Sequence, residues 1–528
     1  MAAPGRERER PGWLEPLQAA LAEALPRLYG LPPDPEVGRQ IAALVDGLER
    51  GQLALTLPEE QAAALALSPL LRGSDAPLVL EAGQLGWRRW HSLRQQVLAE
   101  LLERARGLPS AADPDAPSGT IPGAPVATDD DRLDSRQKQA VAAVLQHRLV
   151  LLQGGPGTGK TSTVAAMLAA VLERQPAARL HLAAPTGKAA ARLRAATGGR
   201  HPCSTLHRLL ESRGDRFARH RRHPLALDLL VVDEVSMVDL ELMAALLEAL
   251  PAGATLVLVG DPAQLPPIAP GAVLLDLQDP ALRQALGPAA VTLATTYRND
   301  GAIAAVAAAL RAGLDDRREE LDPLALLQPR LEALTPGDNL SWRREPLGPL
   351  PAAVRRRLEE QLAALAAAAA GCRPGRCQGW RELLALRERL LVLSPRRSGP
   401  WGIDTLHRVL LGEAAALPAL WPEGLPVLCS RNLPDLGLAN GDVGVLVGQP
   451  GDADRLVLFD GEEPLWIHPA QLSSAAEPAL ALTVHKAQGS EAAELIVLMA
   501  EERPDPRLLY TALTRARKRA LLVVGAAS

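Results

Sequence analysis

The octapeptide at residues 154–161 constrains the fold of this chain more than any other segment. It reads GGPGTGKT, follows an apolar run at residues 149–152 and precedes a helix-forming stretch that extends to residue 172. This order of strand, glycine-rich loop and helix is that of a P-loop, whose backbone N–H groups converge on phosphate oxygens at a helix N-terminus. Lys160 is expected to reach the β- and γ-phosphates, and Thr161 to bind Mg²⁺. The predicted nucleotide site consists of Gly154, Gly155, Pro156, Gly157, Thr158, Gly159, Lys160, Thr161 and Ser162.

Two further apolar runs end in polar residues suited to nucleotide hydrolysis. Asp233 and Glu234 follow the run at residues 229–232. Asp233 is placed to hold Mg²⁺ through water, and Glu234 to polarise the water that attacks the γ-phosphate. Gln264 comes after the run at residues 255–259, where its amide is able to bond both the γ-phosphate and that water. These residues predict an enzyme that hydrolyses the nucleotide it binds.

The length of 528 residues predicts several domains, at about 150 residues each. From residue 134 onwards, short apolar runs alternate with helical stretches, which is typical of α/β layers with a parallel sheet. We predict a helical N-terminal partner-docking domain, a linker, a P-loop ATPase domain, a second α/β domain in two pieces and a small β-barrel inserted into it. Their expected ranges are 1–107, 108–133, 134–300, 301–424 with 475–528, and 425–474.

Charge and hydropathy limit the surroundings in which such a chain is expected to work. The net charge is −4, so any contact with nucleic acid has to come from local basic patches. Residues 1–10 are rich in Arg and Glu, and no run of 18 uncharged apolar residues occurs in the sequence. We expect a cytoplasmic protein that does not contact a membrane. Its four cysteines are expected to be reduced thiols.

Nine short motifs occur along the chain in a defined order. They are QKQAV (137–141), the P-loop, APTGKAAAR (184–192), TLHR (205–208), VDEVSM (232–237), GDPAQLPP (260–267), TYR (296–298), TVHKAQGSE (483–491) and YTALTRARK (510–518). In wording and order they resemble the motifs of superfamily 1 DNA helicases. Within that superfamily the chain resembles the RecD family, the alpha subunits of the RecBCD exonuclease V complex. The resemblance spans roughly residues 134–528 and implies two RecA-like P-loop NTPase domains, an SH3-like barrel in the second and an α-helical N-terminal domain.

The resemblance also implies roles in the nucleotide site. ATP and Mg²⁺ are expected between the two RecA-like domains, with Gln137 reading the edge of the adenine ring. Arg298 and Arg515 are expected to act as arginine fingers, because a guanidinium stabilises the charge that spreads over the phosphoryl oxygens during transfer. Glu491 is expected either to touch the ribose or to couple the site to the DNA strand.

Contacts with single-stranded DNA are implied at a second set of motif positions. Hydroxyls, backbone amides and lysines suit a phosphate backbone that is bound without sequence preference. Residues 213–223 add five arginines and two histidines, which form either a solvated charged face or a strand-separating hairpin with Phe217 at a base step. The residues implied by the resemblance are Pro185, Thr186, Lys188, Thr205, His207, Phe217, Thr483, His485 and Lys486.

Taken together, the resemblance implies an ATP-dependent 5′→3′ DNA helicase subunit. It is expected to act with RecB and RecC on single-stranded DNA and duplex ends, in double-strand break repair and homologous recombination. The alternatives are a stand-alone RecD-like helicase and a non-motor ATPase scaffold of a nuclease complex. Glu234, Gln264, Arg298 and Arg515 weigh against a scaffold, since a dead ATPase site has little reason to keep them.

Overall fold

The fold is that of a computed structural model, which describes residues 13–106 and 133–526 apart from 33, 215, 297–300, 316–320, 378, 453, 462 and 502. Arg298 and nearly all of the predicted linker therefore lie outside the described residues. Among the described residues, no helix is long and apolar enough to cross a membrane.

The N-terminal region combines helices with a small antiparallel sheet, so the expectation of a purely helical region was incomplete. Positive φ angles at Ala82 and Gly83 make a tight turn that pairs two short strands, which the helical periodicity around them had hidden. The sheet has the order β1-β3-β2. The elements are α1 Leu14–Leu28, α2 Pro35–Glu49, β1 Ala54–Thr56, α3 Glu59–Leu65, β2 Leu78–Glu81, β3 Gln84–Trp87 and α4 Arg88–Ala105.

The next region is built on a six-stranded parallel sheet, here called the first sheet, with the order β11-β4-β10-β9-β5-β6. Parallel strands need crossover connections, and the helices between them supply these. The elements are α5 Ser135–Val144, β4 Leu149–Gly154, α6 Lys160–Arg174, β5 Leu180–Ala184, α7 Gly187–Ala196, β6 Cys203–Thr205, α8 Leu206–Leu209, β7 Ser212–Arg213, β8 Arg216–Phe217, β9 Leu229–Val232, α9 Leu240–Ala249, β10 Thr255–Gly260, α10 Val273–Asp276, α11 Pro280–Leu286 and β11 Ala290–Leu293.

Both faces of the first sheet are covered by helices. Along β4, Val150 and Leu152 pack with α5 and α6, whereas Leu149 and Leu151 pack with α4 and α9. Successive strand residues point to opposite faces, so a strand buried on both faces is apolar throughout, as β4 is. Helix α4 thus shares the core of the first sheet. Its buried Arg104 donates to the backbone carbonyls of Leu250, Pro251 and Ala254, which fastens the helix to the end of α9.

A second parallel sheet, with the order β12-β21-β20-β13-β19, organises the C-terminal half. Its strands come from both sides of an intervening segment, because β13 pairs with β19 and β20 from beyond that segment. The elements are α12 Ala302–Asp315, α13 Pro323–Glu332, β12 Leu340–Pro346, α14 Ala352–Ala369, α15 Trp380–Arg387, β13 Leu390–Ser394, α16 Ile403–Leu411, β19 Leu482–Thr483, β20 Ala492–Met499, α18 Pro506–Leu513 and β21 Ala516–Ala526. The α/β class with parallel sheets is thereby confirmed.

The intervening segment forms a third, antiparallel sheet with the order β17-β16-β15-β14-β18. Its elements are β14 Pro426–Cys429, β15 Val443–Val447, β16 Leu456–Phe459, β17 Leu465–Ile467, α17 Pro469–Leu472 and β18 Ala476–Pro478. Val427, Leu446 and Phe459 of this sheet share a core with Val392 and Ile496 of the second sheet. Beside it, Cys372 and Cys377 form a disulfide, so the expectation of reduced thiols was wrong for this pair, which the turn after α14 brings together.

Candidate nucleotide site and inter-lobe interface

Three neighbouring strands of the first sheet bring the predicted nucleotide residues together. β10 lies between β4 and β9, and all three run parallel. Their carboxyl ends therefore meet at one edge of the sheet, where the loops of such folds bind ligands. The P-loop follows β4, the Asp233–Glu234 pair follows β9, and residues 261–267 follow β10. The sheet topology thus gathers the three predicted motifs at a single edge.

The P-loop backbone places Lys160 at the mouth of the loop. Gly159 has φ +81°, and a Cβ added there would lie 2.5 Å from Nε2 of Gln137, so only glycine fits. The Lys160 ammonium donates to the backbone carbonyl oxygens of Gly154 (2.7 Å) and Gly155 (2.9 Å). The ammonium is therefore held over the loop at the N-terminus of α6, where the helix dipole and the free N–H groups favour an anion.

Gln137, the predicted adenine reader, lies beside this loop in the first turn of α5. Its side-chain oxygen accepts from the backbone N–H of Asp134 at 3.0 Å, while the Asp134 carboxylate accepts from the Gln137 N–H at 2.8 Å. This capping box fixes the side chain and leaves it buried, with Nε2 against Gly159. Its role towards adenine stays a prediction.

In the acidic pair, Glu234 has an unusual backbone conformation and Asp233 has a raised pKa. Glu234 has φ +54°, a region that few residues other than glycine adopt and one that often marks functional sites. The Asp233 carboxylate accepts from the Glu234 backbone N–H at 2.8 Å. Burial, and then the charge of Glu234, raise the pKa of Asp233 to about 6, although the charge of Lys160 opposes this rise. The charge of Lys160 therefore acts on the carboxylate of Asp233 across the site.

The predicted γ-phosphate sensor, Gln264, is buried in a loop that is fastened to the opposite half of the molecule. The backbone N–H of Leu265 donates to the hydroxyl of Thr511 on α18 at 2.9 Å. The side chain of Gln488 donates to the carbonyl oxygen of Leu265 at 3.3 Å. Gln264 itself is 5% exposed. The loop after β10 thus extends from the first sheet, and its backbone is hydrogen-bonded by side chains of the region built on the second sheet.

Of the two predicted arginine fingers, the structure describes one. Arg298 lies outside the described residues. Arg515 follows the end of α18, is 3% exposed, and donates through Nε to the carbonyl oxygen of Thr511 at 3.1 Å. Its position is therefore set by α18, the helix that also contacts the loop after β10.

The motif at residues 184–192 faces the motif at 483–491 across the boundary between the two parallel sheets. A Cβ on Gly489 would lie 3.2 Å from the Thr186 hydroxyl, and the Lys188 ammonium lies 3.2 Å from the Ser490 hydroxyl. Arg192 pairs with Glu491 at 2.5 Å, and Arg517 of β21 also pairs with Glu491, at 2.9 Å. The sequence places Arg192 within a motif but does not indicate its role, because its partner Glu491 is 299 residues away.

Lys188, a predicted DNA contact, lies at this boundary. Gly187, its neighbour, packs so closely on the turn before β15 that a Cβ there would lie 3.2 Å from the Asp442 carboxylate. Burial, and then the charge of Arg387, lower the pKa of Lys188 to about 7, and the charge of Asp442 only partly opposes this. Lys188 thus belongs to the first-sheet region by sequence, while its ammonium contacts Ser490 of the C-terminal half and interacts electrostatically with Asp442, just before β15.

The remaining predicted DNA contacts lie on two local structures. Thr205 caps α8 by accepting from the Arg208 N–H at 3.3 Å, and the His207 ring lies 6.1 Å from the ring of Phe217. On the other side, Thr483 accepts from the Lys486 N–H at 3.3 Å, and the Lys486 ammonium pairs with Glu477 of β18 at 2.8 Å. Pro185 and His485 are partly buried within their motifs.

The basic segment contains a short two-stranded hairpin. Ser212 pairs with Phe217, and Arg213 pairs with Arg216, in the antiparallel strands β7 and β8. Phe217 is partly buried against the core of the first sheet. Arg219 is anchored by Glu211 at 2.6 Å, while four other arginines of the segment are exposed, namely Arg213, Arg216, Arg221 and Arg222. The hairpin therefore offers a cationic surface, with its one aromatic side chain turned towards the protein.

The fold and the site define a P-loop helicase. Residues 137–270 match the family model of an AAA domain, and residues 478–523 match that of the UvrD-like helicase C-terminal domain. The chain is 36% identical to the RecBCD enzyme subunit RecD of Mycolicibacterium smegmatis, over 97% of this chain and 93% of that protein. It belongs to the RecD family.

The chain is also similar to two other proteins. It is 32% identical to the ATP-dependent RecD2 DNA helicase of Deinococcus radiodurans, over 73% of this chain and 48% of that protein. Among solved structures, a Bacteroides Pif1 bound to single-stranded DNA is 18% identical, with a TM-score of 0.42, over 74% of this chain and 92% of that one.

Proposed function

We propose that this chain is the ATP-driven motor subunit of a RecBCD-type complex. It moves 5′→3′ along single-stranded DNA from duplex ends, in double-strand break repair and homologous recombination. The observation that carries the proposal is the meeting of the two parallel-sheet regions beside the P-loop, where α18 contacts the loop after β10. A nucleotide between two such regions changes their separation when it is bound and cleaved, and alternating grip on a strand converts that change into movement.

The proposed nucleotide roles combine the chemistry of the residues at the first sheet's edge with the roles that the family resemblance implies for Gln137, Glu491, Arg298 and Arg515. Residues 154–162 hold the triphosphate, Gln137 faces the adenine, and Glu491 couples the ribose side of the site to the strand motifs. Glu234 polarises the attacking water, Gln264 senses the γ-phosphate, and Arg298 and Arg515 stabilise the charge that develops on it.

Magnesium fits the donor set that the site offers. The Thr161 hydroxyl and the Asp233 carboxylate provide the hard oxygen ligands that Mg²⁺ prefers. Bound there, Mg²⁺ would neutralise charge on the β- and γ-phosphates.

DNA is proposed to run across the boundary between the two parallel-sheet regions. Motif residues from both regions lie together there, and their hydroxyl, amide and ammonium groups suit phosphate contacts. The proposed contacts are Pro185, Thr186, Lys188, Thr205, His207, Thr483, His485 and Lys486. Lys188 has to leave Ser490 to reach a phosphate, so opening of the boundary is part of the proposal. The exposed arginines beside Phe217 add a cationic surface where the duplex is parted.

The domain organisation proposed for this function has two RecA-like domains, at residues 134–300 and at 301–424 with 475–528. The antiparallel sheet at 425–474 is proposed to be an SH3-like barrel. Residues 1–107 are proposed to dock RecB-like and RecC-like subunits. The relative from M. smegmatis, which carries the name of a RecBCD subunit, supports these partners.

The ATPase proposal is tested with Lys160→Gln and Lys518→Gln. Lys160 contacts the P-loop, whereas Lys518 is exposed on β21 and serves as the control for the same substitution. We expect Lys160→Gln to abolish ATP hydrolysis stimulated by oligo(dT), and Lys518→Gln to keep the wild-type rate. Unwinding is compared on duplexes with a 5′ or a 3′ single-stranded tail. Unwinding of the 3′-tailed duplex alone would contradict the direction.

The subunit proposal is tested by purifying the tagged chain from its native cells. We expect RecB-like and RecC-like chains to co-purify, with mass spectrometry identifying them. A chain that purifies alone and unwinds DNA by itself would instead support the stand-alone helicase.

A further inference from the structure

Helix α18 forms three hydrogen bonds with the loop that follows β10. Arg507 donates to the carbonyl oxygen of Pro262, Tyr510 donates to the Asp261 carboxylate, and Thr511 accepts from the Leu265 N–H. The three residues span little more than one turn of α18, so a single face of the helix is applied to the whole loop. That loop also carries Gln264, the proposed γ-phosphate sensor.

The contact between Tyr510 and Asp261 is buried and specific. Asp261 is 1% exposed and Tyr510 is 2% exposed, and their oxygens lie 2.7 Å apart. Burial, and then the charge of Asp261, raise the pKa of Tyr510 well above its usual value, so the hydroxyl stays protonated and donates a hydrogen bond to the carboxylate. Arg311 of α12 supplies the positive charge, with Nη1 3.5 Å from the other Asp261 oxygen. A buried carboxylate needs such partners, because leaving it unpaired is costly.

The same two donors reach the P-loop. A Cβ added to Gly155 would lie 3.0 Å from Nη1 of Arg311 and 3.3 Å from the hydroxyl of Tyr510. On the loop itself, the Gly155 carbonyl oxygen accepts from the Lys160 ammonium at 2.9 Å. Two side chains from the C-terminal half therefore press on the second glycine of the loop that holds the triphosphate.

We propose that Arg311, Tyr510 and Asp261 form a positioning cluster, which sets α18 against the P-loop and thereby places Arg515 for ATP hydrolysis. Arg515 follows the end of α18 and is tied to it through the Thr511 carbonyl, so any shift of Tyr510 is passed to the guanidinium of Arg515. Small displacements of a catalytic group cost rate rather than binding, because the reacting geometry is missed. The inference rests on the proposed ATPase function and deepens it.

The test compares conservative changes in the cluster with the same changes elsewhere. Tyr510→Phe removes only the hydroxyl, and its control is Tyr29→Phe, whose hydroxyl donates to the Asp75 carbonyl in the N-terminal region. Arg311→Gln and Arg311→Lys are compared with Arg355→Gln, a change on the exposed face of α14. Each protein is assayed for kcat and for the KM of ATP at saturating oligo(dT), and for its thermal unfolding midpoint.

We expect Tyr510→Phe and Arg311→Gln to lower kcat at least about tenfold, while the KM for ATP changes less than about threefold. Arg311→Lys keeps the charge but loses the planar fork, so it should recover part of the rate. Both control variants should match the wild type. Variants with wild-type kcat and a lowered unfolding midpoint would show a merely structural cluster and overturn the inference. If the wild-type chain hydrolyses no ATP, the proposed function itself fails; if it is active and the cluster variants are equally active, only the cluster's role fails.

Discussion

The guanidinium of Arg192 and the carboxylate of Glu491 lie 2.5 Å apart across the boundary between the two parallel-sheet regions. Burial alone would lower the pKa of Arg192, but the charges of Glu491, Glu234 and Asp233 raise it instead. One arginine therefore responds both to the acidic pair at the nucleotide site and to a carboxylate of the C-terminal half. Glu491 is nearly buried, so the pair is shielded from solvent on one side.

Replacement of Arg192 should loosen this boundary. Arg192→Gln removes one ion pair of Glu491, while the pair with Arg517 is kept. We expect a loss of about 1 to 2 kcal/mol in the free energy of unfolding, a value between those of surface and buried ion pairs. Urea denaturation measures this loss. Arg355→Gln, which removes an exposed pair with Glu359, should cost no more than about 0.5 kcal/mol. Equal losses in the two variants would contradict the inter-region role of Arg192.

Glu234→Gln should separate nucleotide binding from hydrolysis. The amide keeps the size of the side chain but is unable to accept a proton from the attacking water, so ATP hydrolysis should fall at least about 100-fold. Binding of a fluorescent ATP analogue should change little, because the P-loop is untouched. Glu241→Gln serves as control, since Glu241 is exposed on α9 and pairs only with Arg89 among the ion pairs described. Hydrolysis at the wild-type rate in Glu234→Gln would exclude Glu234 as the base.

Lys188 should make stability depend on pH in the neutral to alkaline range. Its pKa is lowered from 10.5 to about 7 in the folded chain, so between these values the unfolded chain binds more protons. Stability contributed at this site therefore rises as pH rises from 7 towards 10. Between pH 7 and 9, the free energy of unfolding of the wild type should rise on the order of 1 kcal/mol more than that of Lys188→Met. Lys518→Met, at an exposed site, should track the wild type; a Lys188→Met profile parallel to the wild type would refute the shift.

Gly424 should tolerate no side chain. Its φ is +82°, and an added Cβ would lie within 2.5 Å of the Ala366 Cα in α14. Gly424→Ala should therefore lower the free energy of unfolding by about 3 kcal/mol or more, through backbone strain and overlap together. Gly412→Ala shares the positive φ of +60° but has nothing within 4 Å, and should cost about 1 kcal/mol. Similar thermal shifts for both variants would mean that α14 does not pack on the third sheet at this point.

Local sequence patterns predicted most of the buried strands, and the strands that they missed are short. The buried strands β4, β5, β9 and β10 were recognisable because a strand covered on both faces is continuously apolar. The strands β2 and β3 were missed, since four-residue strands joined by a two-residue turn carry little periodicity. The antiparallel segment was expected from its Gly-rich turns, and its strands do pair in that sense.

By itself, the sequence determined the nucleotide loop, the acidic pair and the class of fold, because each depends on residues adjacent along the chain. Only the tertiary structure decided that Arg192 meets Glu491, that Tyr510 and Arg311 reach Gly155, and that Lys188 is drawn between the two regions. Those contacts join residues far apart in sequence, and short-range periodicity contains no information about which distant side chains a folded chain brings together.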